Sequence, residues 1–252
     1  MIGVHTSLPR FAAAGQELRG IVEPADGVQG AIVAVSGEDG WSDRVLRAIG
    51  AGAAGVVVSR PRRSDPRRGA ELIEASRSTP IVLDRAWLRE DDVRRTLPVP
   101  ELQVVVASCA GPARVLPELL RDCLGWTRRW GGVLGAAVDA RSAEGVLAIV
   151  DLSGGRSSTV QARVLAEASA VPRMRVGTLG PQRLEVELLG EESVVRRDTE
   201  QGRTEPPRPL ESRERSALRR VIAALGDEAL PDEVSQLLAD DRRARELLGR
   251  PT

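Results

Sequence analysis

Acid–base and covalent catalysis draw mostly on His, Lys, Tyr, Cys and the carboxylates, and this chain carries few of them. It contains no lysine and no tyrosine, and its single histidine is His5. A Schiff-base lysine, a Walker-type phosphate lysine and a His-rich metal centre are therefore excluded. Carboxylates, hydroxyls, Cys109, Cys123 and 36 arginines remain. Arginine grips carboxylates and phosphates in planar forks but keeps its proton at working pH, so it can orient a ligand and cannot act as a base.

Arg60–Arg68 (RPRRSDPRR) sets five arginines in nine residues. It reads as a phosphate or nucleic-acid patch, or as a solvated loop and first helical turn. No aromatic residue interleaves to stack bases, so nucleic acid is not an expected partner. Ser36–Gly40 (SGEDG) is an acidic, Gly-flanked loop at a strand end that could line a pocket or hold a metal. Arg242, Arg243 and Arg245 beside Asp240, Asp241 and Glu246 read as an exposed helix face. Cys109 and Cys123 are too few and too far apart in sequence for a disulfide framework or a CxxC site, and read as small hydrophobes.

The elements that must position these residues change character along the chain. Strand signals at Glu17–Glu23, Gln29–Val35, Gly55–Ser59 and Pro80–Leu83 alternate with helical periods at Trp41–Gly50, Asp65–Ser76 and Trp87–Leu97, and a short helix from Pro9 through Ala14 precedes them. Strands alternating with ten- to twelve-residue helices indicate βαβ units and a parallel sheet. Pro98-Val99-Pro100 marks a boundary. A strand over 101–109 and a long helix, Ala113–Trp130, follow it. From Val133 to Arg197 strand signals succeed one another without a helical period, as in an antiparallel meander. Residues 199–210 read as a polar, Pro-rich linker. Helices at Ser212–Leu225 and Pro231–Leu248 close the chain. The expected fold class is α/β: a truncated Rossmann-like domain over 1–99, then an α+β domain over 100–252. The second domain would carry a large open, mostly antiparallel sheet.

This order, with several local strings, resembles the glucose–fructose oxidoreductase/inositol dehydrogenase (Gfo/Idh/MocA) family. Glu17–Pro24 (ELRGIVEP) is similar to the family's second strand, ending in an acid. Gly30–Val35 and the Trp41 helix are similar to the strand and helix that carry its Ala-Thr-Pro segment. Val56–Pro61 (VVVSRP) resembles the strand ending in Glu-Lys-Pro, and Leu119–Trp126 (LLRDCLGW) resembles the His-x-x-Asp-x-x-x-Trp helix. The resemblance implies a Rossmann domain joined to an open-sheet domain that mediates oligomerisation. It also implies catalytic positions at Arg60 and Asp122 and cofactor contacts at Glu23 and Ser36.

Departures from the pattern bear on function. Met1–Pro9 (MIGVHTSLP) stands where a dinucleotide fingerprint needs glycines for close backbone approach to a pyrophosphate, and it holds only Gly3. Between Glu23 and Val28 there is no room for a further helix and strand. Arg60 occupies the place of the family's lysine, Ser59 that of its glutamate and Leu119 that of its histidine. The acid/base pair that hydride transfer from a sugar hydroxyl requires is missing. The expectation is a catalytically degenerate, oxidoreductase-like protein serving as a non-catalytic subunit or binding protein, with no cofactor. The alternative is an active NAD(P)-dependent sugar or cyclitol oxidoreductase with an atypical site. For Arg60, either a ligand anion or a salt bridge to Asp84 or Glu38 is open.

The C-terminal sheet, with apolar residues on both faces, predicts a homo-oligomer or a hetero-oligomer with a full-length paralogue. A net charge of zero gives no global pull toward polyanions. No secretory signal and no apolar run near the ~18 residues of a membrane span are present in the sequence, so a cytoplasmic protein with no membrane partner is expected.

Overall fold

Short runs of β-branched residues separated by helices with one apolar face build the first part of the chain. The computed structural model describes residues 1–97, 104–207, 210–227 and 230–249. Strand β1 (Ile2–Thr6) is followed by helix α1 (Pro9–Glu17), β2 (Val22–Pro24), β3 (Ile32–Ser36), α2 (Trp41–Gly50) and β4 (Gly55–Ser59). A 3-10 turn (Pro66–Arg68), α3 (Gly69–Ser76) and β5 (Ile81–Asp84) come next. The five strands form one parallel sheet in the order β2-β1-β3-β4-β5. Gly55–Ser59, with Val56, Val57 and Val58 fully buried, is covered on both faces, as an uninterrupted apolar strand requires.

One local reading is corrected here. Glu17 ends helix α1 instead of opening a strand, because the chain reverses at Gly20 (φ 92°) and pairs only from Val22. The link from β2 to β3, residues 25–31, holds no helix. It is anchored by Ala25 N–H to the Val4 carbonyl at 3.0 Å and by the His5 Nδ1 contact with the Ala25 carbonyl at 3.1 Å. Gly3 lets it pass: a Cβ there would sit 2.8 Å from the Ala25 Cβ. The only histidine thus pins a crossover.

The second part contains α4 (Glu90–Thr96), β6 (Val104–Pro112), α5 (Leu116–Gly131) and seven further strands. These are β7 (Leu134–Ser142), β8 (Gly145–Leu152), β9 (Arg156–Leu165), β10 (Arg173–Leu179), β11 (Arg183–Leu189), β12 (Glu192–Thr199) and β13 (Gly202–Thr204). They form an eight-stranded sheet in the order β13-β12-β11-β10-β6-β9-β8-β7. It is not a simple meander, since β6 inserts between β10 and β9 and pairs parallel with β9. β13 hairpins onto β12 inside the stretch expected to be a linker. Leu119, Leu120, Cys123, Leu124 and Trp126 of α5 pack on the inward residues of β6, β8, β9 and β10.

The opposite face of this sheet is lined by alternating residues that stay exposed. Register aligns Val106, Thr159, Ile149 and Val138 directly across β6, β9, β8 and β7, and Val138 and Ile149 are 79% and 57% exposed. Over β10–β12 the same face is charged. Glu185 accepts from Arg175, Arg183 and Arg196 at 2.6, 3.0 and 3.2 Å. Burial draws its carboxyl upward, and the hydrogen bond and charge of Arg175, helped by Arg196 and Arg183, outweigh that and hold it below the ordinary glutamate value.

Helix α6 (Arg213–Ala224) and α7 (Glu233–Leu247) end the chain. The first unit comprises Met1–Arg85 with Pro209–Ala239, and the second Ala86–Arg208 with Asp240–Thr252. The division therefore falls between Arg85 and Ala86, not at 99/100, and α6 belongs with the parallel sheet. The Pro98–Pro100 segment lies outside the described residues. Ala217, Leu218 and Val221 of α6 share a core with Phe11 and Ala14 of α1 on one face of the parallel sheet, while Val234 and Leu237 join Trp41, Val45 and Leu72 on the other. Side chains also close the sheet's β5 edge: Glu233 accepts from Leu83 N–H at 2.8 Å and Arg220 donates to the Leu83 carbonyl at 3.1 Å. Such covering removes an open template for strand addition.

Candidate functional site

Parallel α/β sheets bind ligands at the carboxyl ends of their strands, where the strand order reverses; in this sheet that point lies between β1 and β3. The turn leaving β1 is consumed internally. Thr6 Oγ1 donates to the Ala34 carbonyl of β3 at 3.1 Å and accepts the Leu8 N–H at 3.0 Å. Pro9 has no N–H, and the Phe11 and Ala12 amides both bond the Leu8 carbonyl at 3.0 Å.

Ser36 and Arg60 stand at this edge, at the end of β3 and just past β4, whereas Glu23, the middle residue of β2, is paired with Gly3 near the start of β1. Register sets Glu23 five residues short of Ser36 along the strand direction, about 16 Å at ~3.3 Å per residue, so the structure does not bring Glu23 together with Ser36 and Arg60. Glu23 is exposed. Ser36 works inside its own loop: its Oγ accepts the Glu38 amide at 3.3 Å, and its carbonyl takes Nε and Nη2 of Arg44 at 3.2 and 3.0 Å. Arg44 also reaches the Asp39 and Glu38 carbonyls at 3.0 and 2.7 Å, so one guanidinium fills the concave side of the acidic loop.

The loops after β3 and β4 are bonded to each other. Gly37 N–H donates to the Ser59 carbonyl and Arg62 N–H to the Gly37 carbonyl, both at 2.7 Å. The approach is so close that a Cβ on Gly37 would lie 2.4 Å from the Ser59 carbonyl oxygen; only glycine fits. The Trp41 indole donates to the Arg62 carbonyl at 3.1 Å. Arg60 has φ 52°, the one non-glycine residue at positive φ among the described residues, and its amide donates to the Asp84 carbonyl at 2.8 Å. Neither acid named as an Arg60 partner is left to it alone. Glu38 pairs with Arg62 at 2.7 Å. Asp84, buried, takes the Arg213 guanidinium at 2.8 and 2.9 Å, and its Oδ2 has no hydrogen-bond partner. Arg213 also donates to the Arg85 carbonyl.

Asp122 belongs to the second unit and is fully buried. Its Oδ1 accepts Arg121 Nε and its Oδ2 accepts the Trp87 amide, both at 2.9 Å, while the Trp126 indole donates to the Trp87 carbonyl at 2.8 Å. Residues i and i+4 of one helix face thereby hold both backbone groups of a single residue. The string LLRDCLGW is a clamp on the Trp87 loop. Leu119, at the histidine position, is core. This role left no signal in the sequence, because Trp87 lies 35 residues from Asp122.

Cys109 and Cys123 are free thiols, both buried. Fold brings together what sequence separates: a hydrogen bond to Cys123, with burial, pushes the Cys109 thiol well above its ordinary value, so it is unsuited to act as a nucleophile. Within the arginine run, Arg62 pairs with Glu38, and Arg68 pairs with Asp43 at 2.9 Å and Glu71 at 2.8 Å. Among the described residues no group of three or more His, Cys, Asp and Glu side chains is placed to hold a metal ion. No helix among them is long and apolar enough to cross a membrane.

No protein-family model and no curated protein matches the chain. Solved structures do. A dehydrogenase from Chromobacterium violaceum is similar over 99% of this chain and 95% of its own, with TM-score 0.73 and 14% identity. UDP-N-acetylglucosamine 3-dehydrogenase GnnA from Acidithiobacillus ferrooxidans is similar over 99% and 88%, with TM-score 0.65 and 15% identity. KijD10, a 3-ketoreductase from Actinomadura kijaniata in complex with TDP-benzene and NADP, is similar over 98% and 97%, with TM-score 0.59 and 14% identity. At these identities the likeness is one of fold: a Rossmann-like parallel sheet followed by a large, mostly antiparallel sheet, as in dehydrogenases of the Gfo/Idh/MocA type.

Proposed function

We propose that this protein is a catalytically degenerate, oxidoreductase-like protein of the Gfo/Idh/MocA type that acts as a non-catalytic subunit or binding protein. The observation that carries the reading is the β1–α1 turn. A dinucleotide pyrophosphate needs backbone amides open at a helix N-terminus, and here the Leu8 amide is taken by Thr6, Pro9 has none and Phe11 bonds back to Leu8. The residues present do not fit NAD(P) at that position. Chemistry at the other positions points the same way. Arg60 cannot exchange a proton, Leu119 has none to exchange, and Asp122 has both oxygens engaged in the clamp.

The activity test uses the parent and Arg60→Lys, which restores the ionisable side chain that the resemblance implies. With NAD+ or NADP+ and a panel of sugars, nucleotide sugars and cyclitols, neither protein is expected to form reduced cofactor. Turnover in the parent favours the active-enzyme alternative. Turnover in Arg60→Lys alone shows an intact site lacking one base.

The subunit role rests on the open face of the eight-stranded sheet. Val106, Val138, Leu147 and Ile149 are all more than 40% exposed and occupy neighbouring register positions, a patch of the kind that marks an association surface. A second copy, or a full-length paralogue, would cover it. Light scattering at micromolar concentration is expected to give at least twice the 27.0 kDa chain mass. A strictly monomeric sample that also captures no paralogue counts against the role.

A further inference from the structure

On the same open face, next to the apolar row, two arginines flank an alanine. Ala110 of β6 is the direct register partner of Arg173 on β10 and of Arg163 on β9. One position along, Ser108 stands between Arg175 and Gln161 in the same way. The side chains of these six residues line a hollow of about 370 Å³, within the range of small-molecule sites. Its floor is low because Ala110 and Ser108 are small, and its walls are tall because arginine and glutamine are long. A hollow formed by a small residue between two long cations is what a flat, evenly populated sheet face would not give.

The charges do not cancel within it. Arg175 donates to Glu185 at 2.6 Å, and Glu187, the one acid in the wall, accepts from Arg196 at 2.7 Å. Arg163 and Arg173 make no ion pair and no side-chain hydrogen bond among the described residues, on a face where the neighbouring arginines Arg175, Arg183, Arg196 and Arg203 are all paired. Two guanidinium groups rooted about 10 Å apart, two strand spacings, can converge on one guest lying over Ala110.

We propose that this hollow is an anion site that takes a small molecule bearing phosphoryl groups, held between the forks of Arg163 and Arg173. A phosphoryl dianion carries more charge than a carboxylate and offers three terminal oxygens, so it can engage both planar forks at once. Gln161 in the wall and the Ser108 hydroxyl on the floor supply uncharged partners. The site is separate from the strand ends of the parallel sheet and does not rest on the reading of that edge.

Calorimetric titration with inorganic pyrophosphate tests it. The full chain is expected to bind with a dissociation constant below about 1 mM, more weakly as salt rises. Arg163→Gln combined with Arg173→Gln should lower the affinity at least tenfold and leave the melting temperature unchanged, since both side chains are exposed. Arg203→Gln, which removes a paired arginine from the same face, should leave the affinity unchanged. Should the double variant melt lower, each single substitution is expected to weaken binding on its own. Absence of saturable binding by the parent, or affinity retained in the arginine variants, overturns the site.

Discussion

Asp122→Ala is expected to destabilise the protein by about 3–5 kcal/mol, the cost of removing one partner of a buried ion pair. Three groups are affected at once. Arg121, 1% exposed, loses the nearer of two carboxylates, the other being Asp241 at 3.7 Å, and the Trp87 amide loses its acceptor. The Trp126 bond to the Trp87 carbonyl is then left to hold the loop alone. For a chain of this size each kcal/mol corresponds to roughly 2–4 °C, so the melting temperature should fall by about 6–20 °C. Asp122→Asn keeps the shape and an oxygen for the Trp87 amide and should fall less. A thermal melt by circular dichroism separates this from a catalytic role. A carboxylate serving chemistry alone would leave the melt within a degree or two of the parent when replaced.

Arg213→Ala should be comparably severe. Asp84 is buried with only one of its two oxygens bonded, and Arg213 supplies that bond. Removing the guanidinium leaves a carboxylate in the interior with no cation and also strips a donor from the Arg85 carbonyl. The expected loss is again about 3–5 kcal/mol, read from urea unfolding as a lower midpoint at unchanged slope. Replacing both members, Asp84→Leu with Arg213→Met, should recover most of that loss, because an apolar pair of similar volume has no desolvation penalty. A mild effect of Arg213→Ala would mean that α6 is held to β5 by its apolar residues alone.

Local features of this fold were legible in the sequence wherever a residue pattern and its consequence lie on the same element. Trp41–Gly50 and Gly55–Ser59 are found at the residues where helical period and an unbroken apolar run place them. The C-terminal helices also form where their periods predict. Their partner was not legible: periodicity says which face of α6 is buried and not which sheet buries it, so its return to the parallel sheet was missed. Insertion of β6 between β10 and β9 is likewise a matter of pairing choice, which strand propensity does not encode.

At the candidate site, the strand ends carrying Ser36 and Arg60 could be placed from the sequence because Gly and Pro punctuate them; the register that sets Glu23 opposite Gly3 could not. What their side chains and backbones bond to could not. Nothing in the sequence distinguishes Thr6 from any strand-end threonine, yet its hydroxyl bonds the Ala34 carbonyl and the Leu8 amide. Asp122 matched a motif position, yet the motif gives no sign that its carboxylate faces the Trp87 backbone. That Arg163 and Arg173 form no ion pair among the described residues is a property of sheet register, and the Arg-rich composition concealed it.

The central claim is that the strand-end turn of the parallel sheet cannot cradle a dinucleotide. Each missing amide contact to the pyrophosphate is a charge-assisted hydrogen bond of about 1.5–3 kcal/mol, and two of them weaken binding by roughly two to four decades. Calorimetric titration of the full chain with NADH and with NADPH is the most direct measurement. The account predicts no binding at micromolar or tighter dissociation constants for either cofactor, whereas a micromolar or tighter constant for one of them would contradict it.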